Sequence, residues 1–102
     1  MDFTPHAGTE QGGRRPALVL SPQNYNIATG LMIAVPITNQ VKGSPWEVPI
    51  PRGAGVTGAI LSNQIRTMDW LARNTEFRSK STHELMCEVL GRIEAILGLD
   101  CD

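Results

Sequence analysis

The apolar positions along the chain fall into short runs and close with one long periodic stretch. Ala17 to Leu20 is a continuous apolar run of strand length, as expected of a strand buried on both faces. Leu31-Met32-Ile33-Ala34-Val35-Pro36-Ile37-Thr38 is a second. Pro36 offers no ladder donor, so that strand is expected at a sheet edge or with a bulge at the proline. Trp46-Glu47-Val48-Pro49-Ile50 alternates like a half-buried strand, and Val56 to Met68 reads as the longest strand. Ser21-Pro22-Gln23-Asn24-Tyr25-Asn26 carries turn chemistry, as does Pro51-Arg52-Gly53-Ala54-Gly55, and Asn39 to Pro45 is a polar loop. The C-terminal segment changes period. Ser81-Thr82-His83-Glu84 fits a capping box with Ser81 as N-cap. At ~100° per residue, Leu85, Met86, Val89, Leu90, Ile93, Ile96 and Leu97 then share an arc of roughly 140°, expected to pack onto the sheet. Gly98 is a natural stop. Several short strands, many Gly/Pro turns and one closing helix predict a mainly β chain with a C-terminal α-helix, arranged as a small antiparallel barrel.

A chain of 102 residues is expected to form one domain, 1–102. It has no apolar window long enough for a membrane helix and no basic-then-apolar leader, so a cytoplasmic protein is expected. Cys87 and Cys101 have no metal-ligand spacing and are expected as reduced thiols. The net charge of −1 by itself argues against nucleic acid, but its distribution changes that picture. Residues 1–80 carry eight Lys/Arg against five Asp/Glu, and residues 81–102 carry one against five. A basic body with an acidic C-terminal segment can hold a polyanion locally, over a short footprint.

The candidate chemistry centres on Glu10-Gln11-Gly12-Gly13-Arg14-Arg15-Pro16. Two glycines free the backbone, and Pro16 suits the first residue of a strand, which sets Arg15 at the mouth of that strand. A guanidinium fork there suits a phosphate. His6 and His83 are the only histidines, no hydrolytic zinc motif is present, and neither a P-loop nor a serine nucleophile elbow occurs. What remains is a carboxylate, arginines and hydroxyls. Glu10 is able to accept a proton, Arg15 to neutralise a phosphoryl oxygen and Thr38 to hydrogen-bond the reacting group. That set suits metal-free RNA cleavage, in which the substrate's own 2′-hydroxyl attacks the adjacent phosphorus. An arginine rarely yields its proton, so charge stabilisation by Arg15 needs no special environment whereas general-acid action does.

In this order and spacing the motifs resemble the MazF/PemK family of toxin–antitoxin ribonucleases. The resemblance is carried by Glu10-Gln11-x-Gly13-x-Arg15-Pro16-Ala17-Leu18-Val19-Leu20-Ser21-Pro22, Tyr25-Asn26 and Thr29-Gly30. It continues with Val35-Pro36-Ile37-Thr38-x-Gln40, Lys42-Gly43-x-Pro45-Trp46-Glu47-Val48 and Ser62-Asn63-Gln64-Ile65-Arg66-Thr67-Met68-Asp69-Trp70. It implies an SH3-like small barrel of the CcdB/PemK plasmid-toxin type, working as a homodimer. The implied activity is metal-independent endoribonuclease action on single-stranded mRNA at short sequences, with no cofactor and a 2′,3′-cyclic phosphate product. The family's catalytic arginine and threonine match Arg15 and Thr38, and its loop glutamate matches Glu10. Phe3, Asn26, Gln40 and Lys42 match positions suited to RNA contact, with Arg14 as a supporting charge. A MazE-like antitoxin with an acidic, apolar tail would lie across the RNA groove.

Two departures matter. Family members usually carry a Gly-Asp-hydrophobic strand start ahead of the Asp-Phe, whereas this sequence starts at Met1-Asp2-Phe3, so a truncated first strand is expected. Ser44 stands where an aromatic is common. The competing reading is a weak or inactive binder of the same fold, either an antitoxin titrator or a CcdB-like gyrase poison. The ending Gly98-Leu99-Asp100-Cys101-Asp102 lacks the tryptophan expected of a gyrase poison, and five aromatics are few for a proline-rich-peptide adaptor.

Overall fold

The computed structural model of the protein describes residues 5–10, 13–70, 76–77 and 80–98. In chain order its elements are β1 (Pro5–Glu10), β2 (Gly13–Val19), α1 (Gln23–Thr29), β3 (Leu31–Thr38), β4 (Glu47–Pro49), β5 (Ala59–Leu61), β6 (Arg66–Asp69), β7 (Glu76–Phe77) and α2 (His83–Leu97). The strands pair antiparallel in the order β4-β5-β3-β2-β1-β7, with β6 also on β3. Among the described residues this sheet is an open path rather than a closed barrel.

β3 is the strand everything else is built on, and it is central rather than an edge. On one side β2 pairs with Ala34 to Pro36. On the other, Leu31 to Ala34 pair with β6, and Ile37 and Thr38 pair with β5. Pro36 falls at the handover between β6 and β5, where a missing donor costs least. The same explanation covers Pro16. It lies inside β2 opposite Ala7, and the β2–β3 ladder ends one residue away, at Ala17↔Pro36.

Three sequence expectations change. The turn at 21–26 becomes α1, a two-turn helix entered through Pro22 and ended by Gly30 at φ 72, whose N–H donates to the Asn26 carbonyl. The long strand over 56–68 is two strands. Ser62 and Asn63 break it, and the Gln64 N–H closes the turn onto the Leu61 carbonyl at 3.1 Å. The cap of α2 is Thr82, whose Oγ1 accepts from Leu85 N–H at 3.1 Å, one residue later than Ser81.

The core joins Leu18, Val35, Ile37, Val48 and Ile60 of the sheet to Leu85, Val89 and Ile93 of α2. Those three helix residues are one i, i+4, i+8 row. Of the rest of the predicted arc, Met86 is half-buried against this core, and Leu90, Ile96 and Leu97 are exposed. The buried face of α2 is therefore narrower than the 140° arc. No helix among the described residues is long and apolar enough to cross a membrane.

Candidate active site

The glycine-arginine stretch is a β-hairpin rather than a loop. β1 and β2 pair from Pro5↔Leu18 to Glu10↔Gly13, and the two connecting residues, Gln11 and Gly12, lie outside the described residues. Arg14 is opposite Thr9 and Arg15 is opposite Gly8, so both arginines belong to a paired strand and not to its mouth.

The register decides which candidates meet. Each step back along β2 from the last pair, Ala17↔Pro36, is a step forward along β3, so that register, continued two residues beyond the ladder, would set Arg15 level with Thr38. Glu10 ends β1 at the hairpin tip, two residues along β2 from Arg15 through its partner Gly13. Glu10 and Arg15, five residues apart, and the distant Thr38 thus fall at one end of three adjacent strands.

Thr38 is half-buried, and its Oγ1 accepts from the Gln40 N–H at 3.0 Å. An accepting hydroxyl still has its own proton to donate, here with the oxygen already oriented. Gly58 packs directly behind it. At φ 114, a Cβ on Gly58 would overlap the Thr38 carbonyl oxygen and stand 3.0 Å from Asn39 Oδ1. Thr57 Oγ1 donates to that same Asn39 Oδ1 at 3.1 Å, so the β3 end is bracketed from the segment leading into β5. Sequence reasoning missed Gly58; its signal is a glycine at the entry of an apolar strand, where close backbone approach is one reason for the residue.

The remaining candidates divide. Gln40 and Lys42 are exposed on the loop between β3 and β4. Phe3 lies outside the described residues. Asn26 is corrected: it is 1% exposed, with Oδ1 accepting from Ser21 Oγ at 2.5 Å and Nδ2 donating to the Ser21 carbonyl at 3.3 Å. Its carbonyl accepts from the Trp70 indole N–H at 2.9 Å. A side chain so enclosed ties α1 to the sheet and does not face RNA.

A hollow of about 370 Å³ between β4 and the start of α2 is lined in part by Glu84 and Glu88. Two carboxylates there repel phosphate. Among the described residues no group of three or more His, Cys, Asp or Glu could hold a metal ion.

Comparison with known proteins gives the family. Residues 1–97 match the family described as PemK-like, MazF-like toxin of type II toxin-antitoxin system. The endoribonuclease toxin MazF of Escherichia coli K12 is 38% identical over 98 residues, covering 96% of this chain and 87% of that protein. The Escherichia coli endoribonuclease PemK is 37% identical over 102 residues, covering 95% and 76%. A crystal structure of MazE-MazF from Deinococcus radiodurans superposes with a TM-score of 0.90 at 40% identity, covering 98% of this chain and 97% of that one. The chain belongs to the PemK-like, MazF-like toxin family of type II toxin–antitoxin systems.

Proposed function

We propose that the protein is a metal-independent, sequence-specific endoribonuclease toxin that cleaves single-stranded mRNA in the cytoplasm and is inhibited by a cognate antitoxin. The observation that carries this reading is the register that sets Arg15 level with Thr38 and brings Glu10 to the same end of the sheet. Relatives at 37–38% identity named as endoribonucleases support it, as does the MazE-MazF complex at 40% identity.

In this mechanism the substrate 2′-oxygen attacks the adjacent phosphorus and the bond to the 5′-oxygen breaks, the departing 5′-oxygen taking a proton from water, which leaves a 2′,3′-cyclic phosphate and a 5′-hydroxyl. Glu10 takes the 2′-hydroxyl proton, and Arg15 stabilises the negative charge growing on the phosphorane. Thr38 donates to a phosphoryl oxygen from a hydroxyl held by the Gln40 amide. Gln40, Lys42, Arg14 and Phe3 contact the RNA strand. The working unit is a homodimer, a reading supported by the large apolar side chains left exposed at Ile27, Ile65, Leu90, Ile96 and Leu97.

Incubation with a long single-stranded RNA in EDTA should give discrete fragments, and Arg15→Ala should lower that activity by about 10³-fold. Uncut RNA with the unaltered, folded protein would overturn the enzyme reading and favour a toxin-fold binder.

A further inference from the structure

The loop between β3 and β4 is shaped by a single carboxylate that sequence reading left among ordinary strand residues. Glu47 opens β4 and is 7% exposed, whereas its neighbour Trp46 is exposed. Its Oε1 accepts from the backbone N–H groups of Lys42 at 3.1 Å, Gly43 at 2.7 Å and Ser44 at 3.1 Å. Its Oε2 accepts from Lys42 N–H at 3.2 Å, and the Glu47 N–H donates back to the Ser44 carbonyl at 3.1 Å. Gly43 sits at φ 77, the left-handed conformation that turns successive amides toward one anion. The loop thus wraps its own anion.

The carboxylate cannot serve as a proton acceptor for substrate, since both oxygens are engaged and the group is enclosed. Buried under the loop, its charge is met by three amide dipoles and does not stand on the surface to repel phosphate. Of the clamped residues Lys42 carries an exposed side chain, and Gln40, also exposed, lies two residues before it at the start of the loop. The loop's two ends are held separately: Gln40 N–H on Thr38 Oγ1 at one, and at the other Arg92 donating to the Pro45 carbonyl and Ser62 N–H to the Trp46 carbonyl. Only the middle depends on Glu47.

We propose that Glu47 is a positioning and specificity-determining residue, whose carboxylate sets the shape of the 40–44 loop and thereby which RNA sequence the enzyme binds and cuts. The proposal rests on the ribonuclease reading above. It separates two properties of one site: the amides that Glu47 holds are those of Lys42, Gly43 and Ser44 and not that of Gln40, which meets Thr38, so the chemical step and the choice of sequence come apart.

The test is cleavage of a long RNA with mapping of the new 5′ ends, followed by steady-state kinetics on a short RNA containing the preferred site. Glu47→Ala should raise KM about tenfold, leave kcat within about threefold and broaden the set of cut sequences. Glu47→Gln should fall between, because a carboxamide oxygen still accepts from the amides. Amide hydrogen exchange at Lys42, Gly43 and Ser44 should accelerate about tenfold in Glu47→Ala with the sheet amides unchanged. Should Glu47→Ala fail to fold, Glu47→Gln carries the same readouts. Variants that cut the same sequences with the same KM as the unaltered protein would overturn the clamp alone. Absence of cleavage by the unaltered protein would overturn the ribonuclease reading and the clamp with it.

Discussion

The two ends of β3 bury polar side chains in opposite ways. At its start, Ser21 and Asn26 form a neutral lock: Ser21 Oγ accepts from the Ile33 N–H at 2.9 Å and donates to Asn26 Oδ1. It joins Asn26 of α1, Ile33 of β3 and the Trp70 indole, so the lock fixes scaffold to scaffold. Past its far end, Glu47 holds three amides of an exposed loop, and Thr38 is set by Gln40 and Gly58. Buried polarity at one end stabilises; at the other it gives shape to a surface. The charge is spent where no regular ladder satisfies the amides. Distance from regular structure therefore separates the scaffold role from the site role better than residue type does.

The sharpest way to break this contrast is Gly58→Ala. A Cβ there meets the Thr38 carbonyl and the backbone sits in a region closed to alanine, so cleavage should fall about 100-fold. Stability should fall by only about 2–3 kcal/mol, read by urea melts beside the RNA assay. Equal losses in all loop variants, tracking stability alone, would merge the two ends. Asn26→Ala probes the other end. It leaves the Ser21 hydroxyl and carbonyl without their partner and should cost about 2 kcal/mol in the same melts. The cut sequences and the kcat/KM of the folded fraction should not change. Ser62→Ala gives the smallest effect. Its Oγ is buried with no hydrogen-bond partner among the described residues, so removing it should leave stability unchanged or raise it by up to about 1 kcal/mol.

The sequence made the fold legible wherever one period ran long enough. β3 has the bounds its apolar run predicts, and α2 ends at Gly98 as the glycine requires. Short elements were not legible. α1 has no apolar stripe, its residues read as turn formers, and only the bracketing Pro22 and Gly30 announce it. The division of 56–68 rests on Ser62 and Asn63, two turn residues inside an otherwise strand-like window. Partner choice was also hidden. Nothing local says that Pro36 stands between two neighbours of a central strand, because that follows from where β5 and β6 return. At the candidate site, Glu10, Arg15 and Thr38 stood out through ordered motifs, while the reason they meet is a cross-strand register that no one motif contains. Asn26 misled because an amide in a polar stretch looks like a surface group until its partners are known. Glu47 escaped notice because a strand alternation treats it as an outward charge, whereas the amides of 42–44 draw it in.

The hairpin register has a consequence for how this site tolerates insertions and deletions. Between Glu10 and Gly13 the connection can change length without altering which residues of β2 lie opposite β3. A single residue added between Arg15 and Ala17, or between Pro36 and Thr38, shifts one strand by a position and sends every following side chain to the other face. The spacing that natural variation must respect is therefore counted across the sheet, from Arg15 through Ala17 and Pro36 to Thr38, and not along the glycine-rich turn that first draws the eye.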